Sequence, residues 1–166
     1  MKEPIQYHST QELQKLRDQG IIIPDPGSVQ IERSLNPEKF GKGSVLHPFS
    51  RIEGEGSFIG EDSEIGIAGP VSVFNSFVGR GSRVGTLGPV TLKETFTGPN
   101  TVLGCGTSEE TVFLGKETTV NHFTTGYGFR TRNGTLYEED ASSAQHTDTK
   151  MTVLFPWNTL GSNINF

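Results

Sequence analysis

The sequence is poor in the residues that would tie it to a membrane or to an oxidising compartment. It has one cysteine, Cys105, which cannot form an internal disulfide and therefore predicts a reducing environment. It has no apolar run near the roughly 18 residues that a membrane-spanning helix needs. The N-terminal Met1–Pro4 lacks the apolar centre of a signal peptide. We therefore expect a cytoplasmic protein without a membrane partner.

Basic and apolar residues are also scarce. The 14 Lys and Arg against 19 Asp and Glu give a net charge of −5, so the chain has no basic footprint and we expect no nucleic-acid partner. Hydrophobic residues make up 32%, against the roughly 45–50% of ordinary domains, a range that also counts glycine, so the 21 glycines account for part of the difference. Several glycines recur at a fixed place in the repeat, directly after a periodic apolar residue, and this order argues against disorder and favours one domain with a thin interior.

What the sequence has in abundance is repetition. A short motif recurs at spacings of 19, 19 and 17 residues. It consists of phenylalanine, an apolar or small residue, and glycine. A period near 18 indicates one structural unit that is copied along the chain. The copies are Phe58–Gly60, Phe77–Gly79, Phe96–Gly98 and Phe113–Gly115.

Within each copy, apolar residues recur every six positions. A helix cannot hold this period and a single strand has a period of two, so the pattern indicates a short strand followed by a tight corner. Three such sides make one triangular coil of about 18 residues. The all-β fold that we predict is a parallel β-helix of about five coils, in which the periodic residues point inward. They are Phe40, Leu46, Ile52 and Phe58, then Ile59, Ile65, Val71 and Phe77, then Val78, Val84, Val90, Phe96 and Val102.

Two segments fall outside the six-residue rhythm. Ser9 with Glu12 forms a capping box, so we assign residues 1–26 to a short N-terminal helix and a lead-in strand, and residues 27–166 to the β-helix domain. Asn133-Gly134 between extended flanks predicts a hairpin in an excursion loop at 127–147. Long loops on a regular scaffold are where function tends to lie. Because the rhythm is still running at the last residue, we expect a covering partner or a longer protein.

The coils of Phe58–Gly66 and the lead-in Leu13–Pro26 resemble the hexapeptide-repeat transferase superfamily, whose fold is the left-handed β-helix. They are most like the β-helical half of UDP-N-acetylglucosamine pyrophosphorylase/acetyltransferase proteins. The resemblance covers residues 13–126 and, more loosely, 154–166. It implies the left hand, a homotrimer, and acyl or nucleotidyl transfer that uses a sugar nucleotide or an acyl-CoA such as acetyl-CoA.

The departures from that family limit what the resemblance implies. No uridyltransferase half with a glycine-rich nucleotide loop precedes the helix. The family's acetyltransferase signature, a His, a Tyr, an Asn-Tyr pair and a Lys, does not occur in order. The fold is therefore better supported than any reaction.

Histidine is the side chain best suited to act as a general base near neutral pH. Among the four histidines, His122 and His146 flank the 127–147 segment and would meet beside the acidic Glu138–Asp140 if it folds back. We predict these two as catalytic candidates. The simpler alternative is that both lie on the surface without a chemical role. The acidic run is more simply a solvated face than a ligand set, so we predict no metal site.

The same segment carries candidates for binding a substrate or cofactor. Arg130 and Arg132 are two residues apart, which predicts that both project to one side of a strand, where they would hold phosphates. Tyr127 and Tyr137 complete the predicted binding group. The alternative for the arginines is cross-strand pairing with nearby glutamates.

Two functions remain open at this point. In the first, the chain is a transferase-like module of UDP-N-acetylglucosamine-type sugar-nucleotide metabolism, with its site around 127–147. In the second, it is a non-catalytic trimerising β-helical scaffold, or a fragment of a longer enzyme. The missing signature favours the second, and the superfamily resemblance favours the first.

Overall fold

In the computed structural model, residues 4–104 are described with their side chains, and beyond them the backbones of strands between Thr107 and Leu160 are described. The chain begins with helix α1 (Thr10–Asp18). The Ser9 hydroxyl accepts a hydrogen bond from the Glu12 N–H and the Glu12 carboxylate accepts one from the Ser9 N–H, so the predicted capping box is confirmed. The buried side chains of α1 share one core cluster with the coils.

Strands from successive coils form three parallel sheets, and a 3-10 turn at Pro37–Lys39 follows the first strand. Sheet 1 contains β1 (Gln30–Ile31), β3 (Ser50–Glu53), β6 (Val71–Phe74), β9 (Val90–Lys93), β12 (Thr107–Glu110), β15 (Thr125–Tyr127), β18 (Ser142–Ala144) and β21 (Thr159–Leu160). Sheet 2 contains β4 (Phe58–Ile59), β7 (Phe77–Val78), β10 (Phe96–Thr97), β13 (Phe113–Leu114), β16 (Arg130–Thr131) and β19 (Asp148–Thr149). Sheet 3 contains β2 (Val45–Leu46), β5 (Glu64–Ile65), β8 (Arg83–Val84), β11 (Val102–Leu103), β14 (Thr119–Val120), β17 (Leu136–Tyr137) and β20 (Val153–Leu154).

The chain visits the sheets in turn, which makes the fold a parallel β-solenoid. It is consistent with the left-handed β-helix expected from the sequence. About four coils lie within residues 4–104, and the pairing of the later strands extends the sheets to eight, six and seven strands. These ladders hold more levels than the about five coils expected, because the strands from Thr107 to Leu160 continue the same parallel pairing.

The repeated Phe-x-Gly motif occupies the same position on sheet 2 in successive coils. Phe58 pairs in register with Phe77, Phe77 with Phe96, and Phe96 with Phe113. The predicted repeat is therefore confirmed at the spacings seen in the sequence. Stacking of equivalent residues in this way lets each coil bury its inner face against the next.

The core is the thin column that the composition predicts. On sheet 3 the fully buried Leu46, Ile65, Val84 and Leu103 follow one another in register. The other two sheets contribute equivalent columns, so most of the predicted inward positions are confirmed. The buried members of those columns include Ile59 and Val78 on sheet 2 and Ile52, Val73 and Leu92 on sheet 1.

The phenylalanines of the repeat depart from the prediction. Phe58 and Phe77 are half-buried, Phe96 is exposed, and their rings stack along the outside of sheet 2 with centroids 4.8 and 4.7 Å apart. Successive side chains on a strand point to opposite faces. Because Ile59 and Val78 point inward, the preceding phenylalanines must point outward, and their predicted core position is wrong.

The predicted hairpin is also wrong. Its two flanks, β16 and β17, lie in sheet 2 and sheet 3, and each pairs in parallel with strands of the coils before and after it. Within the predicted excursion loop at 127–147, the described strands therefore continue the coils. Asn133-Gly134 itself lies outside the described residues.

No helix in the described part of the chain is long and apolar enough to cross a membrane.

Candidate functional site

The structure places the predicted binding residues on different sides of the solenoid. Tyr127 lies in sheet 1, Arg130 in sheet 2 and Tyr137 in sheet 3. Arg130 pairs in register with Phe113, and so continues the column of phenylalanines. Tyr137 pairs with Val120, in line with the buried column of sheet 3. Arg132, His122 and His146 lie outside the described residues, and the roles given to all six stay predictions.

Within the described residues, the repeat fails chemically at one corner, the turn from sheet 3 to sheet 1. Each inward residue of sheet 3 is followed by glycine at 66, 85 and 104, but by His47 in the first coil. Gly66 and Gly85 have φ angles of 85° and 76°, which favour glycine. An imidazole thus stands where the later coils have no side chain.

Two residues on neighbouring coils complete what we call the His47 cluster, namely Glu64 and Arg83. They pair in register on β5 and β8, and this register sets one above the other on the outside of sheet 3. The Glu64 Oε2 lies 3.6 Å from His47 Nε2, and the Glu64 Oε1 lies 3.7 Å from Arg83 Nε. One carboxylate therefore stands between an imidazole and a guanidinium.

The contact between Glu64 and His47 is incomplete. At 3.6 Å it is too long for a hydrogen bond, and His47 Nε2 is buried without a hydrogen-bond partner among the described residues. A small approach of the carboxylate would satisfy Nε2–H and fix the tautomer of the ring. The His47 side chain is 27% exposed, so the site is open to solvent. A base, an orienting carboxylate and a cation for an anionic group are the parts that proton-transfer chemistry requires.

The same corner carries an exposed aromatic residue. Phe49 is 69% exposed and has a φ of 66°. A bulky residue in the left-handed region is a genuine outlier and marks a candidate functional position. Its N–H donates to the Ser28 carbonyl at 3.2 Å. Leu87, two coils further along the same corner, is 51% exposed.

A second surface feature, the phenylalanine groove, runs along the outside of sheet 2 and has a volume of about 630 Å³. Its apolar floor is the stack of phenyl rings, and charges of both signs lie at its side. Such a surface suits the docking of an apolar partner surface better than the binding of a single ion. The side chains that define it are Phe40, Phe58, Phe77, Phe96, Pro99, Lys42, Arg80, Glu38 and Glu61.

The six-residue period does not single out His47, because this residue lies at a corner between two inward positions, Leu46 and Ile52. The signal was present in the repeat itself. Aligning the coils at their spacing of 19 places His47 over three glycines and Glu64 over Arg83. In a repeat protein, a position that departs from its equivalents is free to serve something other than stacking.

The comparisons with known proteins leave the function open. No protein-family model matches the chain, and no curated protein matches it. Among solved structures the chain is similar to the UDP-N-acetylglucosamine acyltransferase of Arabidopsis, with 10% identity and a TM-score of 0.29 over 87% of this chain. The match spans 66% of that protein, less than two thirds of its length. At this distance the likeness assigns no activity, and the fold rests on the strand pairing described above.

Proposed function

We propose that the chain is a hexapeptide-repeat transferase that acts on a sugar-nucleotide type of acceptor, with the His47 cluster as its site. The observation that carries the proposal is the replacement of a repeated glycine by His47 next to Glu64. A histidine that stands where the later coils have glycine, and whose buried nitrogen faces a carboxylate, is suited to be a general base.

The chemistry follows from the order of the three side chains. When the Glu64 carboxylate closes the 3.6 Å gap to Nε2, it accepts the Nε2–H of His47, which leaves Nδ1 as the proton acceptor. Nδ1 takes the proton of an acceptor hydroxyl or amine while that atom attacks the carbonyl of an acyl thioester, for which acetyl-CoA is the expected donor. The carbon–sulfur bond then breaks, and the proton passes from His47 to the leaving thiolate. Arg83 would hold a phosphate of the acceptor.

Release of coenzyme A tests this proposal. The native chain is incubated with acetyl-CoA and either glucosamine 1-phosphate or UDP-N-acetylglucosamine, and free thiol is followed with a chromogenic disulfide. His47→Gln should lower the rate about 10²- to 10⁴-fold, because the base is lost while the shape is kept. His8→Gln is the matched control and should retain the native rate. Equal rates for His47→Gln and the native chain would exclude His47 as the base.

The phenylalanine groove favours a second candidate function, a trimerising scaffold. Partly exposed stacked rings are costly in water and are stabilised when another surface covers them. Lys42, Glu61 and Arg80 occupy equivalent positions in successive coils. In a two-fold contact of this face with itself, each of these charges would oppose a like charge, so a ring in which the groove meets a different face is favoured.

The mass of the protein in solution tests the scaffold. Light scattering should give three copies for the native chain, in the expected cytoplasmic range of pH and salt. Phe77→Thr should shift the mass towards one copy, since it removes the central ring of the stack. Phe74→Thr, at a half-buried position on sheet 1, is the matched control. A native chain that is monomeric would rule out the scaffold.

A further inference from the structure

Phe49 is placed where neither backbone preference nor burial explains a phenylalanine. Its φ of 66° disfavours a bulky side chain, and 69% of the residue is exposed. Asparagine or glycine would occupy this backbone region with less strain. Neither the backbone conformation nor burial therefore makes phenylalanine a stabilising choice at this position.

The backbone around Phe49 is held by bonds that do not involve its ring. The Phe49 N–H donates to the Ser28 carbonyl at 3.2 Å, and the Ser50 N–H donates to the His47 carbonyl at 3.3 Å. The buried Ser50 hydroxyl donates to the Ile65 carbonyl at 3.1 Å. The corner would keep its shape with another side chain at 49, so the phenyl ring is available for a ligand.

The position of the ring relates it to the His47 cluster. Phe49 lies two residues after His47, with the stiff Pro48 between them. Arg83, on the far side of Glu64, is 55% exposed. Phe49 and His47 lie at the same corner of the first coil, and Arg83 lies two coils further along, on the outside of sheet 3 beyond Glu64.

We propose that Phe49 is a stacking platform for the ring of a phosphorylated sugar, whose phosphate binds Arg83. This inference rests on the proposed function, because it takes the His47 cluster as the place where the acceptor binds. The C–H face of a hexose is apolar and gains by packing on an aromatic ring, while its hydroxyls stay in water or reach the base. A guanidinium supplies paired donors for the phosphate. The ligand class that fits all three groups is a hexose phosphate.

Calorimetric titration of the full chain tests the platform, with glucosamine 1-phosphate as the probe. Phe49→Asn should weaken binding about tenfold or more, which corresponds to about 1.4 kcal/mol or more. The same variant should melt at or above the native temperature, because asparagine tolerates the left-handed region. Phe49→Trp should bind within about threefold of the native chain. Leu87→Asn removes another exposed apolar side chain from this corner and should leave the affinity unchanged.

Titrations with orthophosphate and uridine monophosphate show whether the phosphate, the sugar or a nucleobase provides the binding. Orthophosphate should bind weakly and without dependence on Phe49. Three results would overturn the inference: no binding of glucosamine 1-phosphate to the native chain, equal affinity in Phe49→Asn, or a large loss of melting temperature in that variant. Dependence on Phe49 for uridine monophosphate alone would also overturn it, since the platform would then hold a nucleobase.

The outcome can be told apart from that of the proposed function. If sugar phosphate binding depends on Phe49 but His47→Gln keeps the native rate of coenzyme A release, the platform stands and the catalytic role of His47 fails. If His47→Gln abolishes transfer while Phe49→Asn binds normally, the transferase stands and the platform fails.

Discussion

Two corners of the same coils differ in how much the repeat controls them. The turns from sheet 2 to sheet 3, at 60–63, 79–82 and 98–101, all have four residues, with a left-handed residue third and a buried hydroxyl fourth. The turns from sheet 3 to sheet 1 have three residues at 47–49 but five at 66–70 and 85–89. The first corner is uniform because each copy bonds to the next. The second is free to vary, and it carries His47 and Phe49.

The uniform corner is held by a ladder of hydroxyl groups. The Ser63 hydroxyl accepts a hydrogen bond from the Ser82 N–H at 3.3 Å, and the Ser82 hydroxyl accepts one from the Thr101 N–H at 3.2 Å. Each serine also donates to a glycine carbonyl of the next coil. A change at one level therefore disturbs two coils, which explains why the corner repeats.

Substitutions in the core column should lower the free energy of unfolding most, and more than substitutions in the variable corner. Ile65→Ala removes a fully buried side chain and leaves a cavity between coils, so we expect a loss of about 2–5 kcal/mol in the free energy of unfolding. Ile67→Ala, two residues later in the variable corner, removes a half-buried side chain and should cost roughly 1 kcal/mol or less. Urea unfolding measures both. Equal losses would mean that the variable corner supports the fold as much as the column does.

Replacing a glycine of the uniform corner should give the second-largest loss in the free energy of unfolding. A Cβ at Gly60 would lie 2.5 Å from the Arg80 nitrogen and 2.8 Å from its Cα, both backbone atoms that cannot turn aside. Gly60→Ala should therefore cost about 2–3 kcal/mol. At Gly27, before the first complete coil, the nearest atom would be 3.4 Å away, so Gly27→Ala should be close to neutral. Thermal unfolding measures both variants. Equal melting temperatures would contradict close packing of the coils at Gly60.

The hydroxyl ladder should give a smaller effect. Ser82→Ala takes the acceptor from the Thr101 N–H and leaves it to find another inside the corner, which should cost about 1–2 kcal/mol. Ser72→Ala, at a half-buried position on β6, is the control and should change little. Hydrogen exchange at the Thr101 amide reports the local effect directly. Unchanged protection there would show that the ladder does not hold the corner.

The regular part of this molecule was predictable because equivalent positions stack on one another, which favours similar residues in every coil. The three sheets, the buried residues Leu46, Ile65 and Val84 of sheet 3, and the capping box at Ser9 all follow from local patterns, but the predicted inward Val102 is half-buried and Leu103 takes its place in the core. The outward direction of Phe58 was misread because a six-residue period does not say which of two adjacent apolar residues is inside. Alternation along the strand decides that, and burial of Ile59 determines it here.

The site was less predictable because its parts come from three coils. His47, Glu64 and Arg83 are far apart in sequence and meet only when the register is known. The sequence drew attention to 127–147 through Asn133-Gly134, a strong local signal for a hairpin that the parallel pairing of β16 and β17 overrides. Departure from the repeat is a better guide to function in such a chain than local turn signals.

The N-terminal cap belongs to neither corner. A change of its carboxylate should have the smallest effect on stability, and only at low pH. The Ser9 backbone N–H and the Arg33 side chain hold the pKa of Glu12 at about 2, below its ordinary 4.5. A lowered pKa in the folded state stabilises the fold above pH 4.5, and this contribution is lost as the pH falls from 4.5 towards about 2. Glu12→Gln keeps an acceptor for the Ser9 N–H but does not titrate. Its urea midpoint should therefore vary less than the native one between pH 5 and pH 2.5, while Glu55→Gln on the first coil should follow the native curve. If Glu12→Gln and the native chain lose stability in parallel over that range, the capping carboxylate does not contribute to the acid sensitivity of the fold.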